Sequence, residues 1–187
     1  MIRSIIGRRA YSEAVTKKSY LKLQVGQIQS CKRHEGSDNL YVSQIQIDDS
    51  NTYQICSGLV PYIPIEQMQN KRVVVVTNMK QKKLRGEASK GMILAATSQS
   101  EGQTQVEVVE PPKSSIIGER LFFGSEDHDF QPPVLKTAVW EYIQPRLKTN
   151  KDKQPVFVDE EGKELVLRGK DESDSAIVAT LTNASVH

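Results

Sequence analysis

Five cationic side chains crowd one short stretch of the sequence, NMKQKKLRGEASKGM at positions 78–92, in which Glu87 is the one acid. Positions 71–90 as a whole hold seven basic residues against that acid, a net charge of +6. A positive potential this concentrated attracts a phosphate backbone and releases its condensed counterions. The stretch therefore predicts non-covalent binding of a polyanion, through Lys80, Lys82, Lys83, Arg85 and Lys90.

Two polar residues accompany these cations. Asn78 and Ser89 can hydrogen-bond a base edge or a ribose 2′-hydroxyl, which makes both of them candidate RNA-binding residues. A second interpretation stays open, in which Asn78 shapes the loop and the Ser89 hydroxyl bonds a nearby backbone group in a turn. For the cations, the alternative is a solvated charge run at the tip of a loop.

The sequence offers no comparable pattern for catalysis or for metal binding. The histidines His34, His128 and His187 are scattered, and Cys31 and Cys56 lack the C-x-x-C spacing of a metal site. No G-x-S-x-G motif or triad-like spacing of Ser, His and acid is present. We therefore expect no catalytic residues, no metal ligands and no cofactor.

The length and the charge distribution fit a globular protein that binds an anionic partner through one part of its chain. The 187 residues suffice for one domain with an appendage, and no run of about 18 apolar residues predicts a membrane-spanning helix. The net charge of +2 hides an asymmetry, because residues 1–90 hold 15 basic and 7 acidic residues whereas residues 91–187 hold 10 and 16. The first part is the one expected to meet an anion.

Short strands are expected to position the basic stretch. Alternating or continuous apolar runs separated by turn residues occur at 21–28, 40–47, 53–56, 73–77, 92–97 and 105–109. Such closely spaced strands favour a small barrel or sandwich, and a five-stranded OB-fold barrel has about this size. The run at 65–70 predicts a single helical turn between two of them.

The last third of the chain follows a different pattern. Leu135, Val139, Ile143 and Leu147 recur every four residues and predict a helix over 135–148, which Pro145 should kink or end. Strands are expected after it at 155–158, 164–168 and 176–181.

The first twelve residues have the composition of a targeting segment. They contain Arg3, Arg8 and Arg9, serines and isoleucines, and no acid, as a mitochondrial transit peptide does. The sequence therefore predicts a mitochondrial matrix protein. The alternative is a cytoplasmic protein with a basic tail that helps to hold a nucleic acid.

Five segments together resemble the tRNA-binding domain of the endothelial monocyte-activating polypeptide II type. That domain occurs in the mammalian multisynthetase-complex cofactor, at the C-terminus of some tyrosyl- and methionyl-tRNA synthetases, and in a fungal synthetase cofactor. The family pattern Asn-x-Lys-x-x-Lys-x-x-Gly-x-x-Ser-x-Gly-Met is matched at Asn78, Lys80, Lys83, Gly86, Ser89, Gly91 and Met92. The other segments are LKLQVGQI (21–28), HEGSDNLY (34–41), SGL (57–59) and PP…GER (111–120).

The resemblance implies a mainly β fold with a defined division of the chain. Residues 1–19 would be the leader and tail, 20–125 the OB-fold tRNA-binding domain, and 126–187 a helix-plus-strands extension packed on the barrel. In the family this extension imitates a dimer interface, which implies a monomer with pseudo-dimer architecture.

The resemblance also implies a function. It points to a non-catalytic protein that recognises the structure of tRNA and assists an aminoacyl-tRNA synthetase, with no membrane partner. The five cations would contact phosphates, while Asn78 and Ser89 would make polar contacts or shape the loop. The alternative is a protein-interaction or cytokine-like module of the same family, without a primary RNA role.

Overall fold

The structure of the protein is a computed structural model that describes residues 16–126 and 128–187. The targeting segment that the sequence predicts lies outside the described residues. The helices are a 3₁₀ helix Lys17–Tyr20, α1 Ile65–Met68, α2 Thr137–Ile143 and a 3₁₀ helix Gln144–Arg146. The strands are β1 Leu23–Arg33, β2 Tyr41–Gln46, β3 Thr52–Ser57, β4 Arg72–Val76, β5 Lys82–Leu84, β6 Glu87–Ser89, β7 Met92–Ile93, β8 Ala95–Ser100, β9 Gln103–Val108, β10 Arg120–Phe123, β11 Leu147–Thr149, β12 Pro155–Val158, β13 Glu164–Arg168 and β14 Ser185–Val186.

Strand β1 organises the first half of the molecule. It pairs antiparallel with β2, β4 and β10, and β2 in turn pairs with β3. Strand β4 is the continuous valine run, and Val73 to Val76 are fully buried because their side chains alternate between two apolar cores, one on each face of the strand. This arrangement confirms the sequence-based expectation of a buried β-branched strand next to the basic stretch.

The five strands β3-β2-β1-β4-β7 form a continuous antiparallel path. No ladder joins β3 to β7 within the described residues, so strand pairing does not close this path into the five-stranded barrel that the sequence suggested. Instead, β3 meets the segment before β7 through hydrogen bonds such as Lys90 N to Gln54 O at 2.8 Å. The mainly β, antiparallel fold is confirmed, and its two open ends approach each other at the basic stretch.

The C-terminal extension continues the same sheet. Strand β13 pairs with β10, and β14 pairs with β8, so the chain returns to the first half at two separate edges. One apolar core combines Leu23 and Leu94 with Ile143, Phe157 and Val186, all of them buried. A second core lies within the first half. The expected helix-plus-strands extension is therefore confirmed.

The helix of the extension is shorter than the sequence pattern predicts. Helix α2 covers Thr137–Ile143 and continues as a 3₁₀ turn that contains Pro145, as expected for a residue that cannot extend an α-helix. Leu147, which the periodicity assigned to the helix, begins strand β11. None of the helices in the described part of the chain has the length and apolar character needed to cross a lipid bilayer.

One predicted strand of the extension is wrong. The strands at 155–158 and 164–168 form, but 176–181 makes only a single bridge, between Ile177 and Glu110. The Glu107 carboxylate accepts hydrogen bonds from the backbone N–H groups of Thr180 at 2.8 Å and of Leu181 at 3.1 Å. Those donors are the ones that a continued ladder would need.

Candidate nucleic-acid interface

The basic stretch folds into a two-stranded hairpin, which the sequence pattern did not predict. Strands β5 and β6 pair Lys82 with Ser89, Lys83 with Ala88 and Leu84 with Glu87. The turn between them is Arg85-Gly86, and both residues have a positive φ, +51° and +91°. This is the backbone conformation that two-residue hairpin turns favour. We refer to residues 80–90 as the cationic hairpin.

The pairing distributes the cations over both faces of the cationic hairpin. Directly opposed residues of an antiparallel pair share a face, so Lys82 lies on the side of the buried Ser89, whereas Lys83 lies on the other side with Ala88. Arg85 occupies the tip, where the left-handed conformation of a non-glycine residue costs about 1 kcal/mol. Lys90 lies at the base, with Nζ 4.2 Å from the centre of the Tyr53 ring.

All five cations of the cationic hairpin are exposed. The salt bridges among residues 16–126 and 128–187 join Lys18 to Glu126, Lys71 to Glu110 and Lys148 to Glu164, and none includes a cation of this hairpin. The acid of the same segment, Glu87, accepts a hydrogen bond from the neutral Gln54 amide at 3.0 Å. The positive charge of the hairpin is therefore left for an external anion.

The two basic residues that precede the stretch have other roles. Lys71 Nζ lies 2.8 Å from Glu110 Oε1 in a salt bridge. The Arg72 guanidinium donates to the backbone carbonyls of Pro112 at 3.4 Å and of Ser115. These contacts hold the segment around 110–115 against β4. The seven basic residues of positions 71–90 thus divide into two with structural contacts, Lys71 and Arg72, and the five cations of the hairpin.

Asn78 joins its own segment to two distant parts of the backbone, at Tyr20 to Lys22 and at Pro133. Its Oδ1 accepts a hydrogen bond from Lys22 N at 3.0 Å. Its Nδ2 donates to Tyr20 O at 2.8 Å and to Pro133 O at 2.7 Å. These bonds use both amide donors and one acceptor site, so the geometry favours the loop-shaping interpretation of Asn78 over contact with a base.

Ser89 fixes the base of the cationic hairpin to strand β3. The residue is buried, and its Oγ accepts a hydrogen bond from Cys56 N at 2.9 Å. Gln54 adds a second tie, because its Nε2 donates to Ala88 O at 2.9 Å. The Ser89 hydroxyl therefore bridges residues that are 33 positions apart, rather than bonding locally in a turn as one interpretation proposed.

Gly91 allows the chain to turn from the cationic hairpin into β7. Its φ is +104°, and a Cβ at this position would lie 2.8 Å from the backbone oxygen of Val76. A side chain would meet backbone that cannot move aside easily, so the family pattern's glycine has a steric reason here. By contrast, a Cβ on Gly86 would meet open space.

Beside the cationic hairpin lies a groove with a volume of about 490 Å³. The groove face of the hairpin contributes Lys80, Lys82 and Leu84, and the segment after β3 contributes Leu59 and Tyr62. The sequence analysis did not single out Tyr62 or Leu84. The signal that could have found Leu84 is an apolar residue in the centre of a cationic run, LRG after two lysines.

The tyrosines differ in how far they can contact a ligand. Tyr41 is fully buried, and its hydroxyl donates to Ile63 O at 2.7 Å, so it belongs to the core. Tyr53 is partly buried against the second core, and Lys90 Nζ lies over its ring. Tyr62 is 42% exposed and lines the groove.

The thiols near the site have core character. Burial raises the pKa of the Cys56 thiol, and the charge of Glu87 raises it further. Burial also raises the pKa of the Cys31 thiol. A protonated thiol is a weak nucleophile and a weak metal ligand. No group of three His, Cys, Asp or Glu side chains is placed to hold a metal ion among the residues that the structure describes.

Known proteins are similar to this chain in sequence and fold. A family model described as "Putative tRNA binding domain" matches residues 23–120. The aminoacyl tRNA synthase complex-interacting multifunctional protein 1 of Mus musculus is 38% identical over 136 residues, which are 71% of this chain and 42% of that protein. The tRNA-aminoacylation cofactor arc1 of Schizosaccharomyces pombe is 35% identical over 172 residues, 90% of this chain and 38% of that protein. The chain spans about two fifths of the length of these relatives.

A solved structure is similar over nearly the whole chain. The crystal structure of the C-terminal domain of Plasmodium vivax p43 superposes with a TM-score of 0.75 at 25% sequence identity. The match covers 90% of this chain and 97% of that domain. The similarity therefore includes the extension after β10 as well as the segment that the family model matches.

Proposed function

The chain belongs to the tRNA-binding domain family, and we propose that it is a non-catalytic tRNA-binding protein that assists an aminoacyl-tRNA synthetase. The observation that carries this proposal is the cationic hairpin, with five exposed cations outside the salt bridges of the described residues. Its relatives include a multifunctional protein that interacts with a tRNA synthase complex and a tRNA-aminoacylation cofactor, by their names.

The hairpin would bind the sugar-phosphate backbone rather than a base sequence. Phosphate contacts fix register and orientation but carry no sequence information directly. Cations on both faces and at the tip, Lys82, Lys83 and Arg85, suit a curved backbone that passes around the hairpin. Bound tRNA held near a synthetase would have a raised effective concentration for that enzyme.

We also propose a cellular location and an assembly state. The arginine-rich, acid-free composition of residues 1–12 supports import into the mitochondrial matrix. The extension supports a monomer, since β13 and β14 occupy edges of the sheet at β10 and β8 that a second subunit would otherwise cover. Determining the first residue of the mature protein, and its mass in solution, would test both proposals.

The decisive experiment removes the charge of the hairpin. In the full chain, Lys80, Lys82, Lys83 and Arg85 are replaced together by Gln, and tRNA binding is measured across a salt series. We expect an affinity loss on the order of 10²- to 10³-fold at low salt, with a salt slope that is less steep by about 3. Each lost phosphate contact removes roughly 0.7 to 0.9 from that slope.

The chain offers a matched control for this variant. Lys136, Lys151, Lys163 and Lys170 are exposed cations of the extension, and their replacement by Gln removes the same charge elsewhere. At about 0.1 M salt this control variant should bind tRNA within about threefold of the unmodified chain, because a general loss of charge is then screened over a Debye length of about 10 Å. Equal losses in the two variants would contradict the assignment of the interface to the hairpin.

A further inference from the structure

The groove beside the cationic hairpin has features that phosphate binding does not require. Its floor is formed by the buried residues Leu59, Ile93 and Ala95. Leu84 and Tyr62 line its walls and are 38% and 42% exposed. Five large apolar side chains are exposed among the described residues, and these are the two that share one concavity. Apolar surface concentrated in this way marks a binding site rather than scattered exposure.

One polar group in the groove lacks a partner. Ser57, the last residue of β3, lines the groove, and its buried hydroxyl makes no hydrogen bond among the residues that the structure describes. A hydroxyl in that position normally finds a protein or ligand partner, since an unmade bond costs the full desolvation of the group. The Ser57 hydroxyl therefore has unused hydrogen-bonding capacity next to the groove.

The charges around the groove select the kind of occupant. Lys80 and Lys82 line it, and no Asp or Glu side chain of the described residues does. An occupant that fits would combine a flat apolar body, a hydrogen-bonding edge and an adjacent negative charge. An unstacked nucleotide has these three features, since its base has a π-face and polar edges and is linked to a phosphate.

We propose that this groove is a nucleobase subsite: an unstacked base of the bound RNA enters between Tyr62 and Leu84, its edge bonds the Ser57 hydroxyl, and Lys80 and Lys82 hold its phosphate. The proposal rests on the proposed RNA-binding function and adds a base contact to it. Stacking on an aromatic ring tolerates every base, so the subsite is compatible with recognition of tRNA structure rather than of one sequence.

The experiment compares two strands of equal length and charge, a single-stranded RNA oligonucleotide and a strand of the same backbone without bases. Binding of each to the full chain is measured for the unmodified protein and for Tyr62→Ala and Leu84→Ala. We expect the unmodified protein to prefer the base-bearing strand by about five- to 100-fold. Both variants should lose that preference while binding the base-free strand as before.

Two matched variants serve as controls. Ile177 has the same exposure as Leu84, 38%, but lies outside the groove, so Ile177→Ala should keep the preference for bases. Tyr62→Phe keeps the aromatic ring and should also keep the preference for bases. Thermal unfolding of each variant by circular dichroism shows whether it is folded. A Tyr62→Ala or Leu84→Ala variant that is folded and still prefers bases counts against the proposal.

The outcomes separate this proposal from the function on which it rests. If the unmodified protein binds both strands equally and tightly, the subsite is refuted and backbone binding stands. If it binds neither strand and no tRNA, the proposed function itself fails. If an apolar peptide binds in a Tyr62-dependent way and the RNA strand does not compete with it, the groove is a protein-docking site and the nucleobase assignment is overturned.

Discussion

Two hairpins of opposite charge show how differently this chain uses its charged side chains. The cationic hairpin lies in the first half, with a two-residue turn between β5 and β6. The second hairpin joins β12 to β13 through residues 159–163, and we refer to residues 159–164 as the acidic hairpin. It contains Asp159, Glu160, Glu161 and Glu164 against Lys163.

Three of the four acids of the acidic hairpin, Asp159, Glu160 and Glu164, bond to other groups of the protein. Asp159 Oδ1 accepts the backbone N–H of Glu161 at 3.0 Å and of Lys163 at 2.8 Å. Glu160 accepts the Tyr142 hydroxyl at 2.8 Å, and Glu164 forms a salt bridge with Lys148 at 3.0 Å. The cations of the cationic hairpin make no salt bridge of this kind in the described part of the chain.

The difference teaches that the small net charge of +2 says little about function. The acids of the second half cancel the cations arithmetically, but several of them are engaged in holding the extension together. Exposed charges separated by more than about 10 Å are largely screened from each other in physiological salt. A polyanion therefore meets the local field of the cationic hairpin rather than the average of the chain.

The sharpest test of how the two hairpins are anchored is a pair of glycine substitutions. Gly91→Ala at the base of the cationic hairpin places a Cβ 2.8 Å from Val76 O at a φ of +104° and should lower the free energy of unfolding by about 3 kcal/mol. Gly162→Ala in the acidic hairpin, at a φ of +80° in open space, should cost about 1 kcal/mol. Urea unfolding of both variants measures the difference, and equal losses would show that the base of the cationic hairpin is not rigidly built.

The cationic hairpin itself shows where sequence reasoning stops. The strands of Val73 to Val76 and of 155–158 and 164–168 follow from apolar runs, whose burial is decided locally. The segments KKL and EAS together place polar residues on both faces of the hairpin. The sequence therefore shows no alternation of apolar and polar residues that would predict β5 and β6. Their pairing depends on a turn at Arg85-Gly86 and on bonds to β3, 33 residues away in the case of Ser89.

The same limit applies to individual site residues. The exposure of the five cations follows from their chemistry and could be expected from the sequence, whereas their contact with RNA stays a prediction. The role of Asn78 could not be predicted from the sequence, because its hydrogen-bond partners Lys22, Tyr20 and Pro133 lie 55 to 58 positions away in the chain. Long-range acceptors also explain why 176–181 is not a strand, since Glu107 captures its donors from another part of the chain.

A second pair of variants tests whether the cationic hairpin depends on a distant strand and the acidic hairpin on itself. Ser89→Ala leaves the N–H of Cys56 without its partner in a buried place and should lower the free energy of unfolding by about 2 kcal/mol. Asp159→Ala removes two local bonds at a partly exposed turn and should cost about 1 kcal/mol.

Hydrogen exchange distinguishes the two hairpins beyond the size of these losses. In Ser89→Ala the amides of both β3 and β6 should exchange faster, because the contact joins the two strands. In Asp159→Ala the change should stay within residues 159–164. Faster exchange confined to β6 in the first variant would mean that the Ser89 hydroxyl does not carry the anchoring.

Charge reversal tests whether the two hairpins differ in function as well as in anchoring. Lys83→Glu, on the face of the cationic hairpin away from the groove, should weaken tRNA binding about tenfold at low salt, since it removes one charge-assisted contact. Glu161→Lys, exposed in the acidic hairpin, adds a cation and should change tRNA affinity by less than about twofold. A large gain of affinity in the second variant would place RNA near the extension as well.

The smallest expected effect concerns pH and the acids that hold the extension. Burial opposes ionisation of Glu107, but hydrogen bonds from Thr180 and Leu181 outweigh it and lower the pKa of this carboxyl. A lowered pKa in the folded state means that Glu107 stabilises the fold above its unfolded pKa, near 4.3, and that this stabilisation is lost as the pH falls through the folded pKa.

Glu107→Gln should therefore lower the free energy of unfolding at pH 7 by less than about 1 kcal/mol, since the site is partly exposed to solvent. Carboxyl groups normally titrate between about pH 3 and pH 5. Over this interval, Glu107→Gln should lose less stability with falling pH than the unmodified chain does. Glu101→Gln, an exposed carboxylate at the turn between β8 and β9, is the control and should leave the pH profile unchanged. Urea unfolding across this pH range measures both. A Glu107→Gln profile parallel to that of the unmodified chain would mean that acid destabilises the extension through other carboxylates. In that case only the acidic hairpin would support the contrast between acids that are bonded within the protein and the exposed cations of the cationic hairpin.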